Sequence, residues 1–314
     1  MSTTQKNVTK QLTPQDFEIL LGESLSDFVK TNIEKYELKY SEISEEEEKS
    51  LLIKIIETLT DKDLEFSGEH RHLRWENGWR ENFDEFKQSK NDSKSLIPHY
   101  FGKIPYVRIA QRWIKVESNN FEYYNLAVIL DWIFEKYCKN ANFVYEFGCG
   151  TGHNLVRLRG INKDANLWGL DWAKSSQDVI KTYSENNSDA KFKGYNFDYF
   201  KPDYDFKIEN SGIIYTVASL EQIGANHIAF TDYLISQKPK LCIHIEPIGE
   251  VLQKDNLLDV ISNKYFIKRN YLNGFLTNLQ KLDSEGKIQI HEVRRTNIGS
   301  FYIEGYTVII WSVK

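Results

Sequence analysis

The chain has 314 residues, 41% hydrophobic and 27% charged, with 40 basic against 45 acidic side chains and a net charge of −5. Nothing in that balance attracts nucleic-acid phosphates or an anionic membrane as a whole, and 14% aromatic residues against 6 prolines and 17 glycines exclude a disordered chain. Cys138, Cys149 and Cys242 are too few and too scattered for a disulfide framework or a zinc cage, which points to a reducing, cytoplasmic setting.

The first ten residues, MSTTQKNVTK, are polar; they are expected to fray and contain no signal-peptide run. Thr13, Pro14 and Asp16 then read as a helix start, followed by Phe17, Leu20, Leu21 and Leu25 at helical spacing. A second helix is predicted from Ser44, with Leu51, Leu52, Ile55, Ile56 and Leu59 as its buried stripe. The acidic run 45–48 suits a helix's first turn better than an interaction site. Residues 66–125 interleave aromatic and arginine side chains. Trp75, Trp79, Arg80, Arg108 and Tyr123 are its candidate substrate-binding residues, although such a stretch can equally pack a helical layer. A helix over about 122–137 leads into the second half.

From Asn142 the pattern changes. Strands are predicted over 143–147, 167–170, 191–197, 212–217 and 240–245, with helices between them, and a terminal antiparallel hairpin is predicted from 287–294 and 304–313 around a turn at 296–300. The expected fold is α/β: a doubly wound, mainly parallel seven-stranded sheet with an antiparallel last strand, residues 141–314, preceded by a helical lid over residues 1–140. No apolar stretch is long enough to span a bilayer; the longest is near 308–311.

The informative segment is VYEFGCGTGHN, residues 144–154. A buried strand runs into Gly148, Gly150 and Gly152 and then into a helix starting near Asn154. Glycines there let the backbone turn sharply and approach a ligand, while a helix start offers N–H groups. The spacing G-x-G-x-G, with Glu146 two residues before the first glycine, resembles motif I of the class I S-adenosylmethionine-dependent methyltransferases. Three further segments match in order: Asp171 and Trp172 after the second strand, the run Asn196, Phe197 and Asp198 after the third, and Ser219 and Glu221 after the fourth. The resemblance implies S-adenosyl-L-methionine as cofactor, Asp171 on its ribose hydroxyls, Trp172 on the adenine or ribose face, and Asp198 on the adenine amine. Glu146, Cys149, Asn154, Asn196, Phe197, Ser219 and Glu221 complete the expected cofactor site. Cys149, a small side chain between glycines, reads as packing and not as a nucleophile.

For proton removal, His244 and Glu246 share one side of the fifth strand's end. His244 is the expected base because imidazole titrates near neutrality, with Glu246 orienting it. A buried structural histidine is the competing reading, and a metal held by His244, Glu246 and His291 is a further alternative; no metal site is adopted. The segment after the fourth strand, Ala218-Ser-Leu-Glu221, lacks the Asn/Asp-Pro-Pro-Tyr pattern of resembling base-amine enzymes, so nucleic acid is not the expected acceptor. Arg294, near the hairpin turn, suits binding of a phosphate or carboxylate, and residues from Arg269 to Leu282 are predicted to form one extra helix over the pocket. The expectation is methyl transfer to a small polar or anionic molecule, a sugar or nucleotide-sugar hydroxyl first. A protein or peptide methyltransferase and a non-catalytic cofactor-binding subunit are the alternatives.

Overall fold

A computed structural model describes residues 8–314. The fraying expected of the N-terminus falls largely on residues 1–7, which lie outside the described residues; Lys10–Gln11 already forms a short strand, β1. Helix α1 follows over Pro14–Leu21, begun by a reciprocal Thr13–Asp16 capping box and ended by left-handed Gly22. Then come α2 (Asp27–Lys35), β2 (Lys39–Glu42) and α3 (Glu45–Thr60). Helix α3 begins at Ser44 as predicted, with Ser44 and Glu47 capping each other, and the acidic run lies in its first turn. Helix α4 (His72–Gln88), strands β3 (Tyr106–Ile109) and β4 (Arg112–Val116), and α5 (Phe121–Ile133) complete this half.

The N-terminal part therefore contains strands as well as helices. They form a five-stranded antiparallel sheet in the order β1-β2-β4-β3 with a last strand, Ile298–Gly299, from the other end of the chain. These strands are two to five residues long and partly polar, so each was too short to stand out as a periodic run.

The second part alternates as expected: β5 (Phe143–Phe147), α6 (His153–Ile161), β6 (Asn166–Asp171), α7 (Lys174–Asn186), β7 (Phe192–Asn196), β8 (Ile213–Val217), α8 (Ile228–Gln237) and β9 (Leu241–Glu246). The helix predicted over 269–282 starts later than expected: α9 (Leu257–Arg269) ends where it was to begin, and α10 (Phe275–Ser284) forms its remainder. Left-handed Asn270 and Gly274 break the chain between them. Strands β10 (Ile288–Arg295), β11 (Ile298–Gly299) and β12 (Thr307–Val313) finish the fold, so the predicted turn itself contributes β11.

The large sheet has the order β10-β12-β9-β8-β5-β6-β7, with parallel pairing from β9 to β7 and β12 antiparallel to both neighbours. Its central strands are buried along almost their whole length, as strands covered by helices on both faces must be. Chain direction reverses about β5, between β6 on one side and β8 on the other, which leaves a crevice at its C-terminal end. Cys138, Cys149 and Cys242 are buried and unpaired, and among the described residues no helix is long and apolar enough to cross a membrane.

Candidate active site

The crevice opens into a cavity of about 1030 Å³, at the top of the range of about 300–1,000 Å³ usual for small-molecule sites. One wall is the loop after β5. Gly148 and Gly150 have φ of +68° and +53°, and neither has room for a side chain. A Cβ on Gly148 would fall 2.4 Å from Ser219 Cβ, and one on Gly150 would fall 2.9 Å from the Trp79 ring. The loop is braced from behind by its own amides: Gly148 and Cys149 donate to the Leu170 carbonyl, Gly152 donates to the Cys149 carbonyl, and Gly150 donates to Asp171 Oδ2 at 2.9 Å. The loop thus meets the cavity through shape, because several of the N–H groups expected to face a ligand are already occupied.

Asp171, at the end of β6, also accepts from the Ala173 amide through Oδ1, at 2.9 Å. Each of its oxygens therefore holds one backbone donor and keeps a lone pair. Burial pushes its carboxyl up to about 6. Trp172, Phe197, Cys149, Asn154, Ser219 and Glu221 line the cavity with it. Asn154 donates to Glu146 Oε1 at 2.7 Å and leaves its own Oδ1 buried without a partner.

Other expected cofactor residues do not line the cavity. Glu146 is enclosed, accepts from Asn154 and from Tyr215 Oη (3.0 Å), and is driven to about 8 by burial; it supports the loop without reaching the cavity. Asn196 donates to the Trp172 carbonyl, and Asp198 accepts from the Phe200 amide at 2.8 Å. Tyr199 and Phe200 face the cavity in their stead. Alternation along the strand end told which positions lie close, not which turn outward.

The expected base is corrected outright. His244 is fully buried on the far face of β9, its ring edge-on to Phe275 (5.0 Å) and near-parallel to Trp311 (6.1 Å), with Nδ1 3.0 Å from Thr216 Oγ1. Burial holds it down to about 3, so it stays neutral and has no access to an acceptor. Glu246 shares that enclosure and accepts from the Ser219 and Leu220 amides at 3.1 and 3.2 Å, which fixes the turn after β8. His291 is exposed and bonds Ser312, so the alternative metal set does not converge. Among the described residues no group of three or more His, Cys, Asp or Glu is arranged to hold a metal ion.

Of the expected substrate residues, Trp75 and Trp79 line the cavity, stacked on each other at 5.1 Å one helical turn apart on α4. The rest are used elsewhere. Arg80 is paired with Glu76 and with Asp178 of α7, between the two helices. Arg108 is buried, donating to the Leu258 carbonyl and Ser262 Oγ, and joins the small sheet to α9. Tyr123 packs on Phe101 and His153 outside the lining. Arg294 is held by Glu23, Glu292 and the Leu21 carbonyl. Glu122, Arg71, Arg269, Tyr265, Tyr271 and Tyr306 line the cavity instead. Arg71 and Arg269 were visible in the sequence as arginines among aromatics, but nothing local distinguished them from Arg80 or Arg294.

The large sheet carries a reversed strand between its fifth parallel strand and its edge, and a glycine loop at the switch point with an acid at the neighbouring strand's end. The fold is that of the class I S-adenosylmethionine-dependent methyltransferases. No protein-family model and no curated protein matches the sequence. Among solved structures, the methyltransferase fold here is similar to an O-methyltransferase from neocarzinostatin biosynthesis in complex with S-adenosylmethionine and 2-hydroxy-5-methyl naphthoic acid (12% identity, TM-score 0.44, 61% of this chain). The match spans 56% of that protein, little more than half its length. It is also similar to magnesium protoporphyrin IX methyltransferase from Synechocystis PCC 6803 with bound S-adenosylhomocysteine (11% identity, TM-score 0.44, 61% of this chain and 83% of that one). A small RNA methyltransferase is a third (14% identity, TM-score 0.45, 64% of this chain and 28% of that one).

Proposed function

We propose that the protein transfers the methyl group of S-adenosylmethionine to a small polar or anionic acceptor, with a sugar or nucleotide-linked sugar hydroxyl as first choice. The observation that carries this reading is the switch-point loop itself: two side-chain-free positions against the cavity, pinned to the carboxylate at the end of β6. The residues fit the cofactor. Asp171 has two oxygens with lone pairs left for ribose hydroxyls, Asn154 Oδ1 is a buried acceptor without a partner, and Trp172 and Phe197 offer apolar walls. Bound there, the cofactor's sulfonium supplies a methyl group that is already activated.

What the chain itself must do is hold the acceptor and take its proton. Burial lifts Glu122 to about 7 and Glu221 to about 8, and both face the cavity. A carboxyl poised near neutrality is suited to general-base work, and Glu122 takes the place of His244, while Glu221, raised further, stays largely protonated at pH 7. Cavity walls drawn from α4, α5 and the 300–306 segment favour a small acceptor over a macromolecule. Titration calorimetry with S-adenosylhomocysteine tests the reading: wild type is expected to bind, and Asp171→Ala to bind at least about tenfold more weakly through lost charged hydrogen bonds. A folded wild-type protein that does not bind overturns it.

A further inference from the structure

We propose that the end of the cavity remote from the glycine loop is an oxyanion subsite, in which Arg71 and Arg269 hold a carboxylate or phosphate carried by the acceptor. The inference rests on the methyl-transfer reading and deepens it by naming the acceptor's second functional group.

Three buried side-chain donors on this part of the lining have no partner: Arg71 Nε, Trp75 Nε1 and Arg269 Nε. All are N–H groups, and unpaired buried donors are costly enough that native structures seldom leave several together. A ligand that satisfies them must offer acceptors only, which is the property of an oxyanion. The guanidiniums are also short of counter-charge. Arg269 forms no ion pair among the described residues and gives one hydrogen bond, from Nη1 to Tyr265 Oη at 3.1 Å. Arg71 donates to Gln222 Oε1 at 2.9 Å, and its one carboxylate contact, to half-exposed Glu65, is long (3.6 Å) and shared with Arg74. The enclosed acid that faces both is Glu221, and burial to about 8 leaves it largely neutral at pH 7. Two like charges thus face one space, and their mutual repulsion contributes to lowering Arg71 after burial itself.

The position separates this corner from the donor's place. Trp79 packs on Gly150, Trp75 lies one turn back along α4, and Arg71 stands just before the helix begins. Eight residues at about 1.5 Å each put the Arg71 backbone about 12 Å from that of Trp79 along that axis. Arg269 closes the corner from the end of α9, over Tyr271 at 5.3 Å, and Tyr265 stacks on Tyr302 beside it at 4.7 Å. An anionic group on a ring or sugar body fits between these flat walls.

The test uses the full chain saturated with S-adenosylhomocysteine, titrated separately with inorganic phosphate, benzoate and neutral benzamide at constant ionic strength. The expected result is binding of at least one anion, with benzamide at least tenfold weaker than benzoate if benzoate is the one that binds. Phosphate binding alone assigns a phosphate-bearing acceptor, and benzoate binding alone a carboxylate on an apolar body. Arg269→Gln is expected to weaken anion binding about tenfold, and Arg269→Lys to restore part of it, while S-adenosylhomocysteine affinity stays at the wild-type value in both. No anion binding, equal binding of benzamide and benzoate, or an unaffected Arg269→Gln overturns the subsite. If the anions fail while S-adenosylhomocysteine binds, the methyltransferase reading survives and the subsite alone falls. If Arg269→Gln instead loses S-adenosylhomocysteine affinity, the arginine serves the donor's own carboxylate and the proposal is also overturned.

Discussion

Gly148→Ala isolates the feature on which the site depends. The new methyl carbon would fall 2.4 Å from Ser219 Cβ, 2.6 Å from Ser219 Oγ and 2.8 Å from Tyr199 Oη. Ser219 cannot swing aside cheaply, because its amide and that of Leu220 are tied to buried Glu246 and its hydroxyl lies 2.9 Å from Tyr199 Oη. The left-handed φ of +68° adds about 1–2 kcal/mol for any side chain, and forcing a methyl group into a packed site adds about 1–3 kcal/mol. A loss of about 2–5 kcal/mol follows, read from urea unfolding, together with at least a tenfold fall in S-adenosylhomocysteine affinity by calorimetry. Gly160→Ala is the internal control. It lies exposed in α6, outside the cavity lining, with nothing within 4 Å of the added carbon, so it should raise stability by about 0.5–1 kcal/mol and leave binding alone. Wild-type stability and binding in Gly148→Ala would refute the claim that the backbone must come this close to Ser219.

Burial raises Glu146 and Glu221 to about 8 and Glu122 and Glu246 to about 7 from 4.5. A carboxyl raised on folding binds protons better in the native state, so its contribution to stability is lost as pH rises through the folded value. Below pH 6.5 His153 and His244, both depressed to about 3, act in the opposite sense; between pH 6.5 and about 9 the carboxyls act alone, and the melting temperature should fall. A flat or rising profile would contradict their burial. His244→Ala removes a fully enclosed ring and should cost about 3–5 kcal/mol, as truncating a buried aromatic does; S-adenosylhomocysteine binding should be unaffected, and its loss in a folded variant would return the histidine to the site. Arg295 pairs with both Asp259 and Glu304, which are 2% and 6% exposed as side chains. Arg295→Met should therefore destabilise by about 3–5 kcal/mol in urea unfolding, and a change below 1 kcal/mol would show that the cluster is dispensable.

The large sheet was readable because its strands are long apolar runs: β5 occupies the predicted residues, and β6, β8 and β9 fall within a residue or two of theirs. The small sheet was not, since β2 is Lys-Tyr-Ser-Glu and its partners lie far along the chain. At the site, the glycines and Asp171 could be located because their chemistry depends on local backbone. His244 misled because a period of two groups Cys242, His244 and Glu246 on one face without saying that α10, through Phe275, covers that face. Arg108 and Arg294 were drawn off by acceptors more than 100 residues away, Leu258 and Ser262 for one and the Leu21 carbonyl for the other. Such partners exist only once the chain has folded.

The pairing of β11 with β3 has a consequence for how the protein is made. Ile298 and Gly299 add the edge strand to a sheet whose other members come from the first 116 residues, and the 300–306 segment beside them forms part of the cavity wall. During synthesis the N-terminal part must wait, with one edge open, until Gly299 has emerged, a delay typical of contacts distant in sequence. The small sheet is for the same reason no exchangeable cassette: grafting its strands from the first 116 residues onto another large sheet would leave behind the strand that completes it.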